Sequence, residues 1–395
     1  DLARSVILTR QGNPAWAGRN VDGVDGYQAT EMFFGANGNP DWNNLDQALI
    51  PIADEQQRLF ANVITEAAAA RKPLPRFWYL PRELKAAIVM TGDDHATGGT
   101  RDHFDRYLAA SPPGCSVEDW ECVRSSSYLF PFYNQNYPQI SNAEAVAYEN
   151  QGFEIGVHTT TNCVPWGSPQ DLYNIYAFQT AAFASFMPGV SAPDSVRTHC
   201  VEWDDWSTHA EVKEAYGIRY DTDYYYYPGS WTQNRPGYFN GTAMPMRYAD
   251  LSGNVIDVYQ GTTQLSDESG HDVPAALNAM LDGALGSNGY YSVLTINEHT
   301  DSTCGGCVSE SNAIVSIAQN RGVPIVSGRQ MLEWLDARNT SRFESVSWSG
   351  GSLTFDVSGG ANGLTAMLPV DSGAGALDSI TRYGGNVPFT IRTVK

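Results

Sequence analysis

The feature that most constrains the fold is an alternation of short apolar runs with helical segments through the middle of the chain. The first run, Ala86–Thr91, is typical of a buried strand because five consecutive apolar residues lie in it. Helical patterns such as Thr100–Ala110 and Pro169–Phe186 separate it from later runs such as Tyr290–Ile296. Six or seven such units predict a parallel sheet joined by crossover helices. We therefore expect an α/β fold that closes as a distorted (β/α)7-type barrel.

The pattern changes on both sides of these units. Residues 1–80 lack the regular alternation and contain clusters of Gly, Asn and Pro, so we expect an N-terminal extension that is the remnant of an upstream domain. Residues 81–340 would form the barrel. After Ser341, short alternating strands with Gly-Gly and Ser-Gly turns predict a small all-β, sandwich-like module over residues 341–395.

Composition excludes some classes of partner. The formal net charge is −20, which would repel nucleic acid and anionic lipid. No apolar run approaches the length of about 18 residues that a membrane span needs. The 10 Trp, 21 Tyr and 15 Phe residues suit a protein that binds carbohydrate, since sugars pack against aromatic faces. We expect a monomer that binds no nucleic acid and has no membrane span.

The cysteines form an even set of six. Several pairings are formally possible. Local spacing favours Cys115–Cys122 and Cys304–Cys307, which leaves Cys163 to pair with Cys200. Bridged cysteines indicate an oxidising compartment, so we expect a secreted, periplasmic or cell-surface protein.

Several predicted strands end in polar side chains. These ends are Asp93–His95, His158–Asn162, Arg197–Cys200, Asp221–Asp223 and Asn297–Asp301. In a parallel barrel such ends meet at one face, where catalytic groups are drawn from different strands. Because neighbouring side chains of an extended segment point to opposite faces, Asp93 and Asp94 should have different roles, one binding a metal and the other moving a proton. The alternative is an Asp pair that caps the next helix or forms a turn.

The order and spacing of these groups resemble the polysaccharide deacetylases of carbohydrate esterase family four, of which this chain would be a divergent member. The family's first motif, Thr-Phe-Asp-Asp, is matched by Thr91–Asp94, and the second, His-Ser/Thr-x-x-His, by His158–Asn162 with Asn in the last place. The third, Arg-x-Pro, keeps only Arg197. The fourth resembles Tyr220–Asp223, and the fifth, Leu-x-His, resembles Leu294–His299 with two extra residues.

The resemblance implies catalytic roles for the matched residues. Asp93 would be the general base and His299 the general acid. Arg197 would brace the base, and Asp223 would orient Arg197. A backbone amide that follows Arg197 would help to stabilise the oxyanion.

The resemblance also implies a metal centre. Asp94, His158 and Asn162 would bind Zn²⁺ or another divalent transition metal such as Co²⁺. An amide oxygen is a poorer Zn²⁺ ligand than an imidazole, so His95 and His199 compete with Asn162 for the third position.

Aromatic and histidine side chains on loops of the presumed catalytic face are candidates for substrate contact. They are His199, Trp166, Trp203 and Tyr224. The tyrosine run 224–227 could form a wall on which sugars stack, or it could be ordinary loop packing.

These features predict a metal-dependent polysaccharide deacetylase, a hydrolase that acts on linear amide C–N bonds. Its substrate would be an acetylated polysaccharide or oligosaccharide, from which it removes N-acetyl groups of amino sugars. One alternative is an O-acetyl esterase that acts on a glycan. Another is a non-catalytic carbohydrate-binding relative.

Overall fold

The computed structural model describes residues 2–20, 26–34, 44–132, 140–224, 231–373 and 375–394. In that part of the chain the α-helices are α1 (Leu2–Gln11), α2 (Ile52–Ala69), α3 (Thr100–Ala110), α4 (Asn142–Glu149), α5 (Pro169–Phe186), α6 (Thr208–Ala215), α7 (Val273–Leu285), α8 (Gly305–Asn320) and α9 (Gly328–Thr340). Short 3₁₀ turns lie at Pro14–Trp16, Ala29–Met32, Leu45–Gln47, Pro81–Glu83 and His199–Val201.

The strands fall into one large sheet and several two-stranded ones. They are β1 (Arg76–Phe77), β2 (Ala86–Asp94), β3 (Ser126–Leu129), β4 (Glu154–Thr159), β5 (Ser195–Thr198), β6 (Tyr220–Asp221), β7 (Met246–Ala249), β8 (Val255–Gln260), β9 (Thr263–Ser266), β10 (Ser292–Asn297), β11 (Ile325–Val326), β12 (Arg342–Ser349), β13 (Ser352–Ser358), β14 (Ala366–Met367), β15 (Asp371–Ser372), β16 (Gly375–Ala376), β17 (Thr381–Arg382) and β18 (Gly385–Asn386).

The large sheet has the order β7-β8-β6-β5-β4-β3-β2-β10-β9, with β11 beside the start of β2. All of its pairings are parallel except that of β7 with β8. Only Gly261 and Thr262 separate β8 from β9, so these two behave as one interrupted strand that pairs with β6 on one side and with β10 on the other. The sheet therefore curls through seven strand positions, which confirms the predicted distorted (β/α)7-type barrel.

The main core lies between this sheet and its crossover helices. Ile88 and Met90 of β2 are completely buried, and so are Leu172 of α5 and Leu277 of α7. Every residue of β2 is buried, as expected for a strand covered on both faces. The predicted bounds of α3 and α5 agree with those observed.

Strand β3 is an element that the hydrophobic pattern does not reveal, because it begins with serines. These hydroxyls are buried, but they have partners far along the chain. Ser126 Oγ donates to Glu154 Oε2 at 2.6 Å, and Ser127 Oγ lies 3.0 Å from Thr300 Oγ1. A buried polar side chain is tolerated when it is hydrogen-bonded, so tertiary contacts stabilise a strand of low hydrophobicity.

The chain divides into two compact units. The first contains Asp1–Asp54 and Ala86–Leu332, and the second contains Glu55–Lys85 and Glu333–Lys395. In the second unit β12 and β13 form an antiparallel hairpin, and β1 pairs with β14. The predicted C-terminal all-β module is thus a set of small antiparallel sheets, while the domain boundaries drawn from the sequence stay a prediction.

The three disulfides connect Cys115 with Cys122, Cys163 with Cys200, and Cys304 with Cys307. The predicted pairing is therefore confirmed. In the described residues, the structure contains no helix with the length and apolar character needed to cross a membrane.

Candidate metal and proton-transfer site

Three imidazoles converge at the carboxyl ends of β2, β4 and β5. His158 lies in β4, while His95 and His199 directly follow β2 and β5. His199 Nδ1 is 3.0 Å from His95 Nε2 and 3.3 Å from His158 Nε2. Two ligands of a tetrahedral Zn²⁺ stand about 3.3 Å apart when each bond is about 2.05 Å, so this spacing suits a bound cation.

In two of these rings, His95 and His158, the hydrogen-bond partner of Nδ1 determines which nitrogen carries the hydrogen. His95 Nδ1 is 2.7 Å from Asp301 Oδ2, and His158 Nδ1 is 2.9 Å from the carbonyl oxygen of Arg197. Because a carboxylate and a carbonyl can only accept, each Nδ1 carries the hydrogen of a neutral ring. Burial lowers the pKa of His158 to about 3, so that ring is neutral. His158 Nε2 therefore presents a lone pair toward His199. Burial lowers the pKa of His95, but Asp301 and Asp93 raise it above its usual value, so His95 Nε2 presents a lone pair once that ring is neutral.

The neighbouring carboxylates Asp93 and Asp94 point to opposite faces of β2. Asp93 faces the imidazoles, and its Oδ1 is 3.8 Å from His158 Nδ1. This Oδ1 is buried and has no hydrogen-bond partner among the residues that the structure describes. Asp94 instead accepts hydrogen bonds from the backbone N–H of Thr97 at 2.8 Å and from the hydroxyl of Thr100 at 2.8 Å. Asp94 thus holds the turn that leads into α3 and the first residue of that helix, while its role as a metal ligand stays a prediction.

Asp93 is kept ionised by its surroundings. Burial alone would raise its pKa, but electrostatic interaction with the neighbouring groups His158, Arg197, His299 and His95 lowers the pKa below its usual value. The Nε–H of Arg197 donates to Asp93 Oδ2 at 2.9 Å, so the predicted contact between brace and base is present.

Asp223 is held by a buried lysine. Its carboxylate forms hydrogen bonds with Lys213 Nζ and with the backbone N–H of Thr198, and Lys213 also binds Asp221. The guanidinium of Arg197 donates to the carbonyl of Thr222 at 3.0 Å. Asp223 therefore supports the end of β5 through Thr198. The contact with Arg197 comes from the backbone of Thr222, which lies between Asp221 and Asp223.

His299 lies across the site from Asp93 and forms a second carboxylate–imidazole pair. Its Nδ1 is 2.9 Å from Asp267 Oδ2, and its ring stacks on that of His95 with centroids 5.3 Å apart. Burial opposes protonation, but Asp267 and the charge of Asp93 raise the pKa of His299 to about 9. A raised pKa favours the protonated form of this ring at neutral pH.

A cavity of about 770 Å³ opens beside these groups. Its walls contain His95, His299, Asp267 and Asp301, together with Glu268 and Glu310. The volume lies in the range of small-molecule sites, which bind part of a larger ligand or the whole of a small one.

Asn162 lies in a tight turn after β4. Its side chain is exposed, its φ is +62°, and its backbone N–H donates to Thr160 Oγ1 at 2.9 Å. The next residue, Cys163, is bridged to Cys200, which directly follows His199. This disulfide therefore ties the loop after β4 to the loop that presents His199. The role of Asn162 as a ligand stays a prediction.

The aromatic candidates for substrate contact are packed inside the protein. Trp166, Trp203 and Tyr224 are 7%, 1% and 1% exposed. Trp203 stacks on Tyr248, and Tyr224 donates its hydroxyl hydrogen to the carbonyl of Gln11 at 2.7 Å. These rings have almost no surface to offer a sugar. The rest of the predicted tyrosine wall, residues 225–227, lies outside the described residues.

Asp267 and Asp301 are site residues that the sequence analysis did not assign. Asp267 directly follows β9, and Asp301 is two residues beyond His299. A carboxylate next to a predicted strand end was the available signal, but many acidic residues in this chain occupy similar positions.

No family model and no curated protein matches the sequence. The fold is similar to that of the Xyl-CE4 domain of a multidomain xylanase from the hindgut metagenome of Trinervitermes trinervoides. The sequence identity is 14% and the TM-score is 0.35, and the match covers 64% of this chain and 91% of that chain. The fold is also similar to that of a polysaccharide deacetylase from Bacillus cereus, with 11% identity, coverage of 61% and 91%, and a TM-score of 0.35.

A third similar structure is a CE4 esterase from Streptococcus mutans, with 14% identity, coverage of 61% and 85%, and a TM-score of 0.34.

Proposed function

We propose that this chain is a metal-dependent hydrolase that removes acetyl groups from a glycan, with the N-acetyl groups of amino sugars as its substrate. The observation that carries the proposal is the convergence of three imidazole nitrogens beside the buried, unpartnered Oδ1 of Asp93. On the other side of this cluster lies His299, a histidine whose pKa is raised. A metal site, a base and an acid are the three parts that metal-assisted amide hydrolysis needs.

The donor set fits a borderline cation. His95, His158 and His199 would hold it, because three imidazoles are a common ligand set for catalytic zinc. Asp94 is not needed in this set, since its Oδ1 accepts hydrogen bonds from the turn before α3 and its Oδ2 accepts one from Thr100, the first residue of α3. A bound divalent metal supplies Lewis acidity, which polarises the acetyl carbonyl and lowers the pKa of water.

Asp93 is the proposed general base. Its Oδ2 is occupied by Arg197, at 2.9 Å, and by the amide of Asn297, at 3.2 Å, which leaves Oδ1 free to receive a proton from water. The two fixed contacts hold the carboxylate in one orientation, and the positive charge of Arg197 keeps it ionised until the proton arrives.

His299 is the proposed general acid. Amines leave poorly unless they are protonated, so amide hydrolysis requires a donor near the nitrogen of the scissile bond. Asp267 orients this ring through Nδ1, which leaves Nε2 to deliver the proton. Because His299 and His95 both line the cavity, we infer that the sugar bearing the acetyl group occupies it. The three disulfides suit an enzyme that acts outside the cytosol.

The test is acetate release from N-acetylated and O-acetylated oligosaccharides by the wild-type chain, before and after treatment with a chelator. We expect release from the N-acetylated substrates, loss of release on chelation, and recovery when Zn²⁺ or Co²⁺ is restored. In Asp93→Asn we expect release to fall by about 10²- to 10⁴-fold, the usual contribution of a positioned base.

Other outcomes would replace the proposal. Release from O-acetylated substrates alone would indicate an esterase. Sugar binding without release from any substrate would indicate a carbohydrate-binding protein. Release that survives complete removal of metal would contradict the metal centre.

A further inference from the structure

We propose that Asp301 is a positioning residue which fixes the tautomer of His95, so that its Nε2 lone pair is always directed at His158 and His199. This inference rests on the proposed function, because it assigns Asp301 a task in building the metal centre.

Asp301 contacts His95 at two points. Its Oδ2 is 2.7 Å from His95 Nδ1, and its Oδ1 accepts the backbone N–H of His95 at 2.8 Å. Oδ1 also accepts the hydroxyl hydrogen of Thr97 at 2.9 Å. Both oxygens are thus committed to the segment that carries His95, and the carboxylate cannot rotate without breaking several hydrogen bonds.

The loop that carries Asp301 is itself attached to this segment. Ser302 donates its backbone N–H to Thr97 Oγ1 at 2.8 Å and its hydroxyl hydrogen to the carbonyl of Thr97 at 2.8 Å. The backbones meet so closely that a Cβ on Gly99 would lie 2.0 Å from the carbonyl oxygen of Thr300. The position of Asp301 relative to His95 is therefore set by the backbone.

The chemical consequence concerns one hydrogen atom. A neutral imidazole carries a hydrogen on one nitrogen and a lone pair on the other. The carboxylate can only accept, so it keeps the hydrogen on Nδ1 and leaves Nε2 as the lone pair that faces His199 at 3.0 Å. Such outer contacts orient metal-binding histidines and typically contribute about 10- to 100-fold in metal affinity.

This assignment makes an unusual prediction about the isosteric variant. In Asp301→Asn the carbonyl oxygen would take the place of Oδ1, because two donors, His95 N–H and Thr97 Oγ1–H, point at that position. The amide NH₂ would then face His95 Nδ1 and donate to it. The ring hydrogen would move to Nε2 and point at the other imidazoles, which would block the metal position.

The experiment measures Zn²⁺ and Co²⁺ dissociation constants of the purified chain by competition with a chromogenic chelator. We expect Asp301→Ala to weaken binding by about 10- to 100-fold. We expect Asp301→Asn, despite its closer shape, to weaken binding more than Ala does. The matched control is Asp267→Asn, which changes the carboxylate beside His299 and should leave metal affinity unchanged.

A second measurement does not need metal. Imidazole ¹⁵N NMR of the metal-free, histidine-labelled chain, recorded at a pH where the His95 ring is neutral, should show its hydrogen on Nδ1 in the wild type and on Nε2 in Asp301→Asn. Equal affinities for wild type and Asp301→Asn, or an unchanged His95 tautomer, would overturn the proposal. A wild-type chain that binds neither metal would contradict the proposed function instead, and the NMR result would still decide the task of Asp301.

Discussion

Two carboxylate–imidazole pairs lie next to each other at the mouth of the barrel. Asp301 holds His95 with an Oδ2–Nδ1 distance of 2.7 Å, and Asp267 holds His299 with a distance of 2.9 Å between the same atoms. The two rings stack with an angle of 21° between their planes. The pairs are therefore nearly equivalent in their immediate chemistry, although the proposed function assigns them opposite tasks.

The difference lies at the other nitrogen of each ring. His95 Nε2 faces a second imidazole, that of His199, at 3.0 Å. His299 Nε2 faces a carboxylate, Glu268, at 3.8 Å, and lines the open cavity. Imidazole nitrogens beside Nε2 can share a bound cation with it, whereas a carboxylate beside Nε2 favours a retained proton. The surroundings of the far nitrogen thus decide what an Asp–His pair does.

The largest effect should follow from removing an imidazole on the metal side. In His199→Ala we expect metal affinity to be lost. The rate of acetate release should then fall by about 10⁴-fold, because several kcal/mol of transition-state stabilisation depend on the metal. Metal content and acetate release measure this together. His271→Ala, which removes an imidazole outside both pairs, should retain both properties, and retention of metal by His199→Ala would contradict the site.

Removing the imidazole on the proton side should separate chemistry from metal binding. In His299→Gln we expect unchanged Zn²⁺ affinity and an approximately 10³-fold loss of amide hydrolysis, because the leaving amine lacks its proton donor. An activated O-acetyl ester should be affected less, since an alkoxide leaves more easily. Rates on paired amide and ester substrates test this, and an equal loss on both would argue against the role of His299 as acid.

The disulfides beside the two pairs should differ in a similar way. Cys163–Cys200 spans 37 residues and adjoins His199, whereas Cys304–Cys307 spans three and contacts Asp267. Loop-closure entropy predicts a loss of about 4 kcal/mol in the free energy of unfolding when both cysteines of the first pair become serine, and about 2 kcal/mol for the second. Denaturant unfolding compares the two variants. Only the first should also weaken metal binding.

The smallest effect should come from Asp267→Asn. The Asp267 carboxylate raises the pKa of His299, and the proposed acid works only when it is protonated. Loss of this carboxylate should lower the pKa of His299. The pH at which kcat/KM declines on the alkaline side should therefore move down, and kcat/KM at neutral pH should fall by about tenfold. A pH profile that keeps its alkaline limb in place would show that Asp267 does not tune His299.

Much of the fold could be predicted because it depends on local periodicity. Helix α5 was expected over Pro169–Phe186 and has those bounds, and β2 was expected from Ala86. Strand β3 could not be predicted in the same way. Its serines look like loop residues until Glu154 and Thr300, which are distant in the sequence, satisfy their hydroxyls.

The candidate site was predictable to a similar extent. Asp93, Arg197 and His158 were expected near one another, and the structure brings them together. Trp203 was predicted to contact the substrate because it lies in the loop after β5. A position in a loop does not reveal whether the side chain is buried. Its ring packs against Tyr248 because the loop folds inward.

The sequence by itself determined that polar groups follow successive buried strands, which cysteines pair, and that Asp93 and Asp94 face opposite ways. These properties follow from the pleat of a strand and from spacing along the chain. Only the tertiary structure decided that Asp93 faces the imidazoles while Asp94 bonds to the turn before α3 and to Thr100, and that the rings of His95, His158 and His199 meet. The reason is physical: alternation is a property of one strand, but which of its faces becomes a site depends on the strands and loops packed beside it.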